Sequence, residues 1–168
     1  MAKIAVIIDS QFEDSEYTKP AEAFKEAGHE LTHIGLKPGD EVVGKKEGTA
    51  VKVEKSVEEV SADDYDALLI PGGYSPDHLR VNQNAVNFTK AFMDQNKPVF
   101  SICHGAQLLI TADVLKGRKA TGWKSIVQDI KNAGAEYQDQ EVVVDGNLVT
   151  SRQPSDLPAF IEQSLAKL

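Results

Sequence analysis

The chain is predicted to be an α/β sandwich, helix over sheet over helix, with a mainly parallel central sheet and a nucleophile elbow. Three observations predict this. Short Val- and Ile-rich runs alternate with amphipathic stretches, the pattern of parallel strands buried on both faces. With 168 residues, 41% hydrophobic and 26% charged, the chain can cover a sheet on both sides and has an ordinary globular composition. Ser101-Ile102-Cys103-His104-Gly105 joins an apolar run directly to a helical one, and the small residues two before and two after the cysteine suit a sharp strand-to-helix turn. No repeat, linker or second compositional regime interrupts the sequence, so residues 1–168 are expected to form one domain.

The elements follow in order. Lys3 to Ile8 reads as the first strand, and Glu16 to Ala27 as a helix with Ala23, Phe24 and Ala27 on one face and Gly28 as its stop. Leu31 to Gly35 gives the second strand. From Pro38 to Ser56 short extended pieces around Gly39, Gly44 and Gly48 suggest a small ribbon. Ala67 to Ile70 is a strand ending abruptly in Pro71-Gly72-Gly73, where two residues are free to take positive φ. Ala85 to Gln95 reads as a helix, Pro98 to Ile102 as a buried strand running into Cys103, and His104 to Leu109 as a helix. Ser125 to Ala133 is a further helix. Glu141 to Val144 and Asn147 to Thr150 are strands joined at Asp145-Gly146, a strong hairpin signal, and Ser155 to Leu168 is the closing helix.

Charge and cysteine content restrict the function. A formal charge of −8 repels phosphate backbones and anionic membrane surfaces, so neither a nucleic-acid nor a membrane role is expected. Lys45 and Lys46, the only adjacent lysines, read as a solvated loop. The N-terminal apolar run is too short to span a membrane, and no cleavage site for export follows it. A single cysteine cannot form an internal disulfide, which makes a free thiol in a reducing cytoplasm the expected setting. One Cys and four scattered His form no ligand set of recognised spacing, and Gly72-Gly73 is neither a dinucleotide fingerprint nor a P-loop, so neither metal nor cofactor is implied.

Cys103 is the expected centre of any chemistry. An elbow lifts the sulfur above the carboxyl edge of the sheet, near a helix N-terminus whose partial positive charge favours thiolate. An inert core cysteine is the bland alternative, and the flanking Ser101 and Gly105 argue against it. Two loops should converge on the same edge. Gln11-Phe12-Glu13-Asp14 supplies carboxylates, and a protonated Glu13 touching the sulfur would stabilise its thiolate, although Glu13 or Asp14 can equally be a helix cap or a solvated charge. Pro71-Gly72-Gly73 supplies N–H donors for a developing oxyanion. His104 adjoins the nucleophile and can serve as base, or be structural. Of the other histidines, His29 and His33 suit packing or surface roles, and His78, next to Asp77, can approach the site from this chain or from a neighbouring subunit.

Phe12-Glu13-Asp14-Ser15-Glu16-Tyr17, Leu69-Ile70-Pro71-Gly72-Gly73, Ile102-Cys103-His104-Gly105, Asn132-Ala133-Gly134-Ala135 and Val149-Thr150-Ser151-Arg152 together resemble the PfpI (ThiJ/PfpI) family over nearly the whole chain. The resemblance implies a flavodoxin-like fold, with Cys103 as nucleophile, Glu13 as the carboxyl beside it, His104 as base, and backbone N–H groups near Gly73 and His104 as the oxyanion site. It also implies a homo-oligomer, dimer or hexamer. In protease-like members an acidic residue after the Gly-Gly loop, often a Glu from a neighbouring subunit, completes a triad. Here that position is Asp77, one methylene shorter. Trp123 stands where many relatives carry an aromatic hydroxyl, and is expected to wall the pocket instead.

Three functions fit such a chain. The first is a stress-protective enzyme whose Cys103 thiolate attacks a reactive carbonyl, glyoxalase- or deglycase-like, on a 2-oxoaldehyde or its protein adduct. It is preferred because no lid or substrate domain for a long peptide is visible. The second is an intracellular cysteine peptidase, for which the short Asp77 is a handicap. The third, of another class, is a redox sensor in which Cys103 oxidises to sulfinate. A class I glutamine amidotransferase is rejected, since it needs a His-x-Glu pair downstream and no histidine follows His104.

Overall fold

The computed structural model describes residues 1–168. In chain order the elements are β1 (Lys3–Ile7), α1 (Asp14–Glu26), β2 (Glu30–Gly35), β3 (Glu41–Val43), β4 (Ala50–Lys52), β5 (Lys55–Ser56) and β6 (Ala67–Ile70). They continue with α2 (Ser75–Leu79), α3 (Gln83–Asp94), β7 (Val99–Ile102), α4 (Ala106–Thr111), β8 (Lys119–Ala120), α5 (Val127–Asn132), β9 (Glu136–Tyr137), β10 (Val143–Asp145), β11 (Leu148–Ser151) and α6 (Leu157–Leu165). The main sheet has seven strands in the order β10-β11-β7-β6-β1-β2-β5, all parallel except for the β10–β11 hairpin. The expected sandwich of helix, mainly parallel sheet and helix is the observed architecture.

Strand residues alternate between two cores, because successive side chains of a strand point to opposite faces. Ala5, Ile7, Leu68, Ile70, Val99 and Leu148 pack under α3 and α4, together with Phe88, Phe92, Leu108 and Leu109. Ile4, Val6, Leu69, Phe100, Ile102 and Val149 face the other way, against Tyr17, Ala21 and Phe24 of α1 and Leu157 and Phe160 of α6. The sequence reading found every strand of the main sheet except the two-residue β5. It also missed α2 and the small β8–β9 pair, all too short to carry a period. The ribbon expected over 38–56 is the antiparallel β3–β4 hairpin, followed by β5.

One topological feature positions the site. Chain progression reverses between β1 and β6, which pair directly at Ala5 and Leu68. Loops leaving their carboxyl ends therefore diverge and open a crevice, as at the switch point of any doubly wound sheet. The loops after β1, β6 and β7 all end there.

Candidate active site

Cys103 sits immediately after β7 with φ +60°, a conformation that non-glycine residues rarely hold. A 3-10 turn over Cys103–Gly105 then leads into α4. The crowding explains the glycine: a Cβ on Gly105 would lie 2.7 Å from both the Ile70 carbonyl oxygen and Ser101 Oγ. The elbow expected from the sequence is thus present, with the thiol 8% exposed.

The β6 loop lies against it. A Cβ on Gly72 would stand 3.1 Å from Cys103 Cβ and would also strike the Glu16 carboxyl, so only glycine lets this backbone approach. Gly73, at φ +72°, pairs with Phe12 in an isolated antiparallel bridge. The bridge is closed by Glu13 N–H to Gly72 O (3.4 Å) and Tyr74 N–H to Gln11 O (2.9 Å), which leaves the Gly73 N–H outside the ladder.

The carboxyl beside the sulfur is Glu16, not Glu13. Glu16 is fully buried, its Oε1 accepts the Gly72 N–H at 2.9 Å, and it interacts directly with the Cys103 thiol. Its other oxygen has no nitrogen or oxygen partner. Glu13, itself buried, pairs instead with Lys45 (3.2 Å) and Lys46 (3.1 Å). The reason is where α1 begins: it starts at Asp14, so Glu13 occupies the flanking position and Glu16 the third helical one, from which a side chain reaches back over the helix N-terminus. Gly72, expected as an oxyanion donor, spends its N–H on Glu16. The Gly73 and His104 N–H groups remain, the latter directed at the sulfur.

Burial, with the nearby Glu13 charge, pushes Glu16 up to about 8. Burial and the ionised form of Glu16 likewise push the Cys103 thiol up, opposed by the His104 N–H and the Lys45 charge. This corrects the expectation that the helix N-terminus favours the thiolate: a single 3-10 turn and the six-residue α4 do not offset burial and the Glu16 charge. The two acids form one coupled pair. With Glu16 neutral the charge opposing the thiolate vanishes and its O–H becomes a donor, so sulfur would have that donor and the His104 N–H. Ionised Glu16 would have the Gly72 N–H and the S–H of Cys103, a weak donor. The sulfur therefore ionises more readily while Glu16 keeps its proton than after Glu16 has lost it.

His104 places Nδ1 3.6 Å from Cys103 Sγ and Nε2 3.4 Å from Ser125 Oγ. Burial, then the Lys45 charge, lowers its pKa, and Asp77 acts in the opposite sense, so the ring is neutral near pH 7. Asp77, on α2, thus exerts its field on His104 within one chain. His78 faces Asp9, with Nδ1 3.9 Å from Oδ2. Trp123 stands beside His104, ring centroids 6.2 Å apart, and its backbone N–H donates to the Cys103 carbonyl at 3.2 Å. His29 and His33 serve packing: the Ala2 N–H donates to His29 Nδ1, and His33 lies between the Tyr17 hydroxyl (2.7 Å) and Glu54 (3.0 Å).

Lys45 and Lys46 lie in an exposed loop, as expected, but the loop is tethered. Buried Asp14 accepts N–H groups of Lys46 (2.9 Å), Glu47 (3.3 Å) and Thr49 (3.1 Å), and the Lys45 N–H donates to Phe12 O at 2.9 Å. The Lys45 ammonium lies between Glu13 and the Tyr74 ring (5.3 Å). No group of three or more His, Cys, Asp or Glu side chains is placed to hold a metal ion, and no helix is long and apolar enough to cross a membrane.

Residues 2–167 match the family model described as DJ-1/PfpI family. General stress protein 18 of Bacillus subtilis (strain 168) is 59% identical over 167 residues, covering 99% of this chain and 97% of its own length. Protein/nucleic acid deglycase 2 of Escherichia coli (strain K12) is 56% identical over 167 residues, with the same coverage. Among solved structures, a two-domain protein from Anabaena variabilis containing DJ-1/ThiJ/PfpI-like and ferritin-like domains superposes with a TM-score of 0.96 at 40% identity, covering 99% of this chain and 48% of that one.

Proposed function

Because the chain belongs to the DJ-1/PfpI family, we propose that it is a stress-related, deglycase-like enzyme in which the Cys103 thiolate attacks the carbonyl of a 2-oxoaldehyde or its protein adduct. The observation that carries this reading is the convergence of Cys103, Glu16 and His104 with the Gly73 and His104 N–H groups at the sheet edge. The names of the 59% and 56% identical relatives, a general stress protein and a deglycase, support the same class.

With methylglyoxal, sulfur bonds to the aldehyde carbon, the carbonyl π pair moves to oxygen between the Gly73 and His104 N–H groups, and that oxygen takes up the Glu16 proton. Neutral His104 then carries the proton on this carbon to the neighbouring carbonyl carbon, while the hydroxyl proton passes to that neighbour's oxygen, giving a 2-hydroxy thioester. Water cleaves the thioester, releases lactate and restores the thiol. The sum is methylglyoxal plus water to lactic acid, so no external oxidant or cofactor enters the balance. Lys45, whose field reaches Cys103, Glu16 and His104, adds a positive charge opposite the developing oxyanion.

The test is lactate formation from methylglyoxal by the purified protein, with Cys103→Ala as control. Turnover that disappears with the sulfur is the expected result. An inactive native protein whose Cys103 is selectively oxidised by peroxide would replace this reading with the sensor, and Cys103-dependent cleavage of peptides without dicarbonyl turnover would replace it with the peptidase.

A further inference from the structure

A cavity, about 300 Å³ in volume, lies between the end of α2, one face of α4, and α5 with the residues flanking it. None of its lining residues belongs to the thiol site. Arg80, Asp113 and Asp129 all line it, yet Arg80 forms no ion pair with either carboxylate. The Arg80 side chain makes one hydrogen bond, from Nε to Thr111 Oγ1 at 2.9 Å, so its two terminal nitrogens have no protein partner. The Asp113 and Asp129 carboxylates accept no hydrogen bond from the protein either. Gln107, on the same wall, has an amide with no hydrogen-bonded anchor and a buried, unpartnered oxygen. Ile110 and Ile126 complete an apolar side.

One guanidinium and two carboxylates lining one concavity without touching one another leave room for a molecule that bridges them. The guanidinium fork matches a carboxylate, and the two Asp residues suit an ammonium. The amide supplies a further polar partner, and the isoleucines suit a short apolar side chain. From this arrangement we infer that the cavity binds a small zwitterion of the free L-α-amino acid type, its carboxylate on Arg80 and its ammonium between Asp113 and Asp129. The carboxylate of such a molecule pairs the free guanidinium, and its single ammonium donates to both carboxylates while offsetting one of their two charges. The inference is independent of the reaction assigned to Cys103.

The test is isothermal titration of the intact protein with L-leucine, L-methionine and L-glutamine, beside two one-charge analogues of leucine, 4-methylpentanoate and 3-methylbutylamine. Saturable binding of at least one amino acid, with both analogues at least about tenfold weaker, is expected. Arg80→Ala and Asp129→Asn, at half-buried and exposed positions and checked for unchanged circular dichroism, should each weaken binding about tenfold or more. Cys103→Ala should leave it within about twofold, since distant sites act independently. The inference would be overturned by no saturable binding of any of the three amino acids, by equal binding of the amine or acid alone, or by binding indifferent to Arg80→Ala. Loss of binding in Cys103→Ala would do so as well, by placing the ligand at the thiol.

Discussion

Among single residues, Glu16 governs the chemistry of the site. Its carboxyl is lifted from the ordinary 4.5 to about 8, first by burial, so in the folded protein it keeps its proton over a range where the unfolded chain loses it. The folded state then binds more protons, and stability falls as pH rises from about 4.5 to about 8. Glu16→Gln removes that titration while keeping a side chain able to accept the Gly72 N–H. Thermal melts between pH 5 and 8 should show a flatter dependence of Tm on pH for the variant than for the native protein, and equal slopes would contradict the assignment. Why the sequence pointed to Glu13 is equally local. Glu13, Asp14 and Glu16 crowd one short stretch, and a helix started at Glu16 makes that residue an exposed cap. The signal that identifies it is the stripe below: Glu16 and Pro20 lie one turn apart on the face that also buries Tyr17, Ala21 and Phe24. A carboxylate there must be paired or protonated.

At the scale of elements, the β3–β4 hairpin illustrates what a linear reading misses. Glycines and short extended runs revealed the ribbon, but its tip is fastened from 32 to 35 residues away, by Asp14, a contact no local period encodes. Burial would raise this carboxyl, and the N–H donors of Lys46 and Thr49 outweigh it, holding Asp14 at about 2. Its contribution to stability is therefore present above the ordinary 3.8 and is lost as pH falls toward 2. Asp14→Ala should cost about 3 kcal/mol, or roughly 6–12 °C in Tm for a chain of this size. It should also free Lys45 from its place between Glu13 and Tyr74. A variant melting with the native protein would mean that the hairpin tip needs no tether. Cys103 and its elbow, by contrast, were legible because strand, nucleophile and glycine are contiguous in sequence.

For the whole molecule, the site exists because a doubly wound sheet brings three distant loops to one edge, and the two cores beneath fix their separation. Alternating apolar residues made the layers legible, since burying both faces of a parallel sheet leaves few other arrangements. Phe100 is fully buried on the strand that carries Cys103 and packs on Phe24 of the helix that carries Glu16, ring centroids 5.8 Å apart. Phe100→Ala should cost about 3–5 kcal/mol in urea unfolding, and a loss below about 1 kcal/mol would show that α1 is not braced through this contact. The central claim is that the proton on Glu16 lets the sulfur ionise. Cys103 is the only thiol in the chain, so the pH midpoint of iodoacetamide alkylation tests that claim directly. If neutral Glu16 is a donor to the thiolate, Glu16→Ala moves the midpoint upward by about one unit or more, whereas Glu16→Gln, which keeps a neutral donor, moves it less. A midpoint that falls in Glu16→Ala would show the carboxyl acting only as an opposing charge, and the account would be wrong.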